Sequence, residues 1–82
     1  MKNKNLIVTQ LENYEKSYEE TKDFERFKIN IYQTIQDIES ITPVNPVYSS
    51  YLFQIKLDYE NLDRNSSPTL VSSLKTFLKR LE

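Results

Sequence analysis

Apolar residues recur along this chain at intervals of three and four, not two, in four separate segments. That spacing lines side chains up on one side of an α-helix, whereas a strand would alternate them across two faces. In the first segment Ile7, Leu11, Tyr14 and Tyr18 step by 4, 3 and 4, which predicts a helix over about residues 5–18. Ser17 or Thr21 would end it or cap the next one. The second segment carries Phe24, Phe27, Ile31, Ile35, Ile38 and Ile41, with Lys28, Gln33, Gln36, Asp37 and Glu39 left for the wet side, and predicts a helix over 22–41. Four of its stripe residues are β-branched Ile, but burial of each is worth about 1.5–3 kcal/mol against tenths for propensity, so periodicity decides.

Punctuation falls between the segments. Pro43 stops the second helix, because its ring cannot donate to the ladder and Thr42 before it is biased away from the helical region. Asn45-Pro46 then reads as a capping residue followed by proline at the first helical position, where a missing N–H costs nothing. The third stripe, Tyr48, Leu52, Ile55, Tyr59 and Leu62, predicts a helix over 46–62 with Tyr51 beside the stripe. Asp63 to Ser67 reads as a polar turn, and Ser67-Pro68 as a second cap-then-proline device opening a helix over 68–81. There Leu70, Leu74, Phe77 and Leu81 repeat the 4, 3, 4 step, Val71 and Leu78 widen the apolar face, and Lys79 and Arg80 in the last turn complement the helix dipole. Short connections make consecutive helices antiparallel neighbours, so the expected fold is all-α, a single up-and-down four-helix bundle spanning 1–82. The alternative is a three-helix bundle in which the first pair is merged.

Composition supports a packed core. Leu, Ile, Val and Phe supply 24 of the 82 residues, above the level at which disorder is expected. Apolar runs never exceed three residues, too short to span a bilayer or to form a signal-peptide core, so the expected location is cytoplasmic. The formal net charge is −1, with acids gathered between Glu12 and Glu25 and bases near the end, and no field that would recruit nucleic acid.

The absence of His, Cys and Gly changes the functional picture most. Without His there is no side chain titrating near neutrality; without Cys there is no thiolate; without Gly there is no phosphate-cradling loop. We therefore expect a protein that is not an enzyme and carries no cofactor, metal or small-molecule substrate. Glu12, Glu15 and Glu19 share a helix face but read as solvated, since a bundle metal site would pair inward carboxylates with His. Asp58, Glu60 and Asp63 lack the glycine of a calcium loop. Tyr14, Tyr18, Tyr48 and Tyr59 lie on the stripes and are expected at the core margin. Tyr32 and Phe53 fall off them and are the aromatics expected to face a partner or a second helix. Lys75, Lys79 and Arg80 complete the candidate partner-binding residues, as a small cationic cluster able to touch an anionic membrane surface transiently.

This arrangement resembles the enterocin A-type immunity proteins, small helical bundles that protect cells from pediocin-like bacteriocins. Asn5-Leu6-Ile7-Val8-Thr9-Gln10-Leu11 is similar to that family's amphipathic first helix, and Thr42-Pro43-Val44-Asn45-Pro46 sits where the family has its proline-bearing turn. Tyr48 to Leu62 and Val71 to Leu81 resemble its third and closing helices. The resemblance implies a cytosolic protein, peripheral at the inner face of the membrane, that recognises a mannose-type sugar permease engaged by bacteriocin. The family commonly continues into a C-terminal segment implicated in specificity, and many members are basic, whereas this chain ends at Glu82 and is slightly acidic. The competing expectation is a helical interaction or regulatory module, of phage or mobile-element type, that binds a protein partner or itself.

Overall fold

The computed structural model describes residues 3–81 and contains four α-helices: α1 (Lys4–Thr21), α2 (Phe24–Ile41), α3 (Pro46–Glu60) and α4 (Ser67–Arg80). They form the expected up-and-down bundle. Each helix packs on its sequence neighbour and α4 returns to α1, closing a ring. The alternative in which the first pair merges does not hold, since α1 and α2 are separate helices broken at Lys22 and Asp23.

The periodic stripes meet at the centre. Ile7, Leu11, Phe27, Ile31, Ile35, Ile38, Ile55, Leu70, Val71, Leu74, Phe77 and Leu78 are all buried, and Tyr18, Phe24, Ile41, Tyr48, Leu52 and Tyr59 are half-buried against them. The tyrosines expected at the core margin lie there. Thr34 is a buried polar residue within α2, and its hydroxyl is satisfied by donating to the Asn30 carbonyl at 2.9 Å.

Helix ends differ from expectation in ways that local hydrogen bonding explains. α1 begins at Lys4 because Asn3 caps it, its side-chain oxygen accepting from the Leu6 N–H at 2.9 Å, and it runs three residues past Tyr18. It stops when Lys22 turns left-handed, at φ 58°, and donates its N–H to the Tyr18 carbonyl at 2.8 Å. That αL stop is ordinarily a glycine's role. α2 starts two residues later than expected, because its cap is Asp23, which accepts from the Arg26 N–H at 3.1 Å. Thr21 takes a supporting part, donating to Ser17 O and accepting from Asp23 N–H.

Asn45 caps α3 as expected, accepting from the Val47 N–H at 2.8 Å. That helix ends at Glu60 rather than residue 62, since Asn61 turns back on the Leu57 carbonyl with both its backbone and side-chain N–H groups. Leu62 stays buried from the turn that follows. The Ser67-Pro68 cap is the clearest correction. Ser67 is already helical and its hydroxyl donates to Arg64 O; the N-cap position is Ser66, whose side chain caps no helical N–H and instead closes a reciprocal box over the preceding turn, where Asp63 accepts from the Ser66 N–H at 2.8 Å and Ser66 Oγ accepts from the Asp63 N–H at 3.0 Å.

Candidate partner-binding surface

α2 and α3 stand side by side, and the seam between them opens into a groove of about 330 Å³ lined by Tyr32, Ile35, Gln36, Glu39, Lys56, Tyr59 and Glu60. Tyr32, one of the two aromatics singled out from the sequence, forms its wall. It is half exposed and its ring lies 5.7 Å from that of Tyr59 at 43°. Tyr59 is held in turn by donating its hydroxyl to the Lys28 carbonyl at 3.2 Å. Burial, then the neighbouring Tyr32 and Glu25, raises the Tyr59 phenol above its usual value, so it stays a neutral donor. At the other end of the groove Lys56 Nζ meets Glu39 Oε1 at 2.8 Å, an exposed ion pair that orients side chains more than it stabilises.

Phe53, the second singled-out aromatic, projects from α3 with 64% of its surface exposed. It has company the sequence reading passed over. Val47, Leu57 and Tyr51 on the same helix are also exposed, as are Val44 before it and Ile29 on α2. The sequence signal for this was available: α3 places apolar residues on several sides, so one of them had to face outward.

The cationic residues of α4 are deployed separately. Lys75 pairs with Glu15 of α1 at 2.6 Å, which also assigns that carboxylate to an interhelical contact. Arg80 lies over the Tyr51 ring at 5.2 Å and donates to its hydroxyl, while Lys79 is exposed. Arg80 and Lys75 thus act first as ties from α4 to α3 and α1. Arg64, which the sequence did not single out, is a third tie: its guanidinium lies 5.3 Å from the Phe24 ring and donates to the Tyr18 hydroxyl and the Lys22 carbonyl.

Among the described residues no three His, Cys, Asp or Glu side chains converge to hold a metal ion, and no helix is long and apolar enough to cross a membrane. What the surface offers is exposed apolar side chains bordered by polar groups. The chain matches no family model, no curated protein and no solved structure.

Proposed function

We propose that the protein is a binding scaffold that works by contact alone, and that its role is bacteriocin immunity of the enterocin A type. One observation carries the reading: α2 and α3 display large apolar side chains, with Tyr32 in the wall of a groove beside Tyr59 and Phe53 projecting from α3 outside that groove. Isolated exposed apolar residues are ordinary, but several on adjacent helices suit recognition of another protein. In this reading the partner is the cytoplasmic side of a membrane sugar permease held open by bacteriocin, and immunity arises because the occupied complex no longer leaks. Lys79 and its neighbours at the end of α4 add a transient attraction to anionic lipid, about 1 kcal/mol per basic residue at the surface.

The test is protection. Expression in a bacteriocin-sensitive strain should raise the concentration of at least one pediocin-like bacteriocin needed to stop growth, and Tyr32→Ala, at an exposed position, should lower that protection while leaving the helical content unchanged. No protection against a broad panel of such bacteriocins would overturn the immunity role.

A further inference from the structure

We infer that α3 is also a self-pairing helix, and that the protein forms a weak, reversible antiparallel dimer through its outward stripe. The inference stands on α3 itself and goes beyond the immunity reading. At 100° per residue, the side of α3 opposite the buried Ile55 carries Pro46, Ser50, Phe53 and Leu57. These positions are spaced 4, 3 and 4, the 3.5-residue average of a coiled-coil seam, and all four are exposed. The helix therefore has two apolar seams: one closes its own bundle and the other is open.

The open seam fits itself. In an antiparallel pair related by a two-fold axis, each large residue must meet a complementary position of the other copy. With the axis between Ser50 and Phe53, the Phe53 ring of one copy sits over the small Ser50 of the other, and Leu57 sits over Pro46. Knobs meet holes in both layers. Flanking positions cooperate: Val47, Gln54 and Asn61 on one side are uncharged, and on the other Lys56 meets Ser49 of the second copy rather than a like charge. A parallel pair would oppose Ser50 to Ser50 and Glu60 to Glu60, leaving a gap and a repulsion.

Area sets the class of contact. Val47 and Phe53 are each 64% exposed and Leu57 37%. With the small residues between them the stripe offers on the order of 500 Å² per copy, hence about 1,000 Å² for the pair, below the ~1,200–2,000 Å² of stable complexes. An interface of that size belongs with weak, transient contacts, so the expected dimer is a reversible one.

Sedimentation equilibrium of the purified chain from about 5 µM to about 1 mM reads this directly. The average mass should climb from monomer toward dimer, and Phe53→Glu should hold it at monomer with unchanged helical circular dichroism. Because the chain contains no cysteine, Ser50→Cys introduces the sole thiol. Mild oxidation should link two copies of S50C, close to the axis, and should not link Ser72→Cys on the exposed side of α4. A monomer at every concentration, an F53E protein that still dimerises, or equal cross-linking of S50C and S72C would overturn the proposal. None of these readings uses bacteriocin, so failure of the immunity role leaves them intact.

Discussion

α3 and α4 are nearly equal in length, both open near a proline, and both are rich in apolar side chains, yet they spend those side chains in opposite ways. α4 buries Ser67, Leu70, Val71, Leu74, Phe77 and Leu78 within fourteen residues. α3 buries Ile55 alone within fifteen. The difference lies in arrangement. α4 confines its large apolar groups to one broad face and gives the rest to Ser, Thr, Lys and Arg, so a single orientation satisfies it. α3 distributes Val, Tyr, Leu, Phe and Ile around most of its circumference, so whichever side turns inward, others stay wet. One helix spends its apolar side chains on the core, and the other divides them between the core and solvent.

The sharpest way to break this comparison is to truncate one large residue on each helix. Leu74 has no exposed surface, so Leu74→Ala removes buried atoms and leaves a cavity, at an expected cost of about 3–4 kcal/mol. In a domain this small that is a large share of total stability. Phe53→Ala, measured at concentrations where the protein is monomeric, should change stability by less than about 0.5 kcal/mol, since its ring faces solvent. Urea midpoints for the two variants decide it: comparable losses would mean that α3 contributes to the core as α4 does.

A smaller effect is expected where the loop between the two helices is tied back to the rest of the bundle. Arg64 reaches the Phe24 ring, the Tyr18 hydroxyl and the Lys22 carbonyl from that loop, joining the start of α4 to the α1–α2 corner. Arg64→Ala should cost about 1–1.5 kcal/mol, discounted because the side chain is exposed. Arg64→Lys should recover little of it, because a compact ammonium cannot lay a planar face on the Phe24 ring while it donates to both acceptors. Full rescue by lysine in thermal melts would reduce the tie to simple charge.

At the same corner Lys22 holds a left-handed conformation that costs a residue with a Cβ about 1 kcal/mol. Lys22→Gly keeps the hydrogen bond to the Tyr18 carbonyl and removes that cost, so it should stabilise by somewhat under 1 kcal/mol, a rise of about 4–8 °C in Tm per kcal/mol for a domain of this size. A fall in Tm would mean that the lysine stem supplies packing worth more than the strain.

These sites show what could be read from the residues in order and what could not. The four stripes were legible because each repeats several times and burial outweighs propensity. Phe53 and Tyr32 were legible as off-stripe aromatics, and both face solvent. Asn45 was legible because its cap lies within two residues. The Asp63–Ser66 box was not, since it closes the turn ahead of α4 while the adjacent Ser67-Pro68 mimics the more familiar device. Lys22 was hidden because nothing in a lysine advertises positive φ. The ties of Arg64 to Tyr18 and of Tyr59 to Lys28 join positions 46 and 31 residues apart, and only the packed bundle brings them together.

The smallest expected effect separates the two helices by how each begins. α3 is capped by the neutral Asn45, whereas the turn leading into α4 is closed by a carboxylate, Asp63, which accepts from the N–H of the N-cap residue Ser66. Hydrogen bonds from the backbone and then the side chain of Ser66 lower the Asp63 pKa below its ordinary value. A carboxyl depressed in the folded state adds stability that is fully present above its unfolded pKa, near 3.9, and is lost as pH falls through the folded value. The start of α4 should therefore weaken in acid while the start of α3 does not. Asp63→Asn keeps an acceptor but not the charge, so its urea midpoint should fall less than that of the wild type between pH 5 and pH 2.5. Asn45→Ala should lower the midpoint by a similar amount at both pH values, because the cap it removes does not titrate. Parallel acid slopes for wild type and D63N would place the acid sensitivity elsewhere. They would also leave burial as the only difference between α3 and α4.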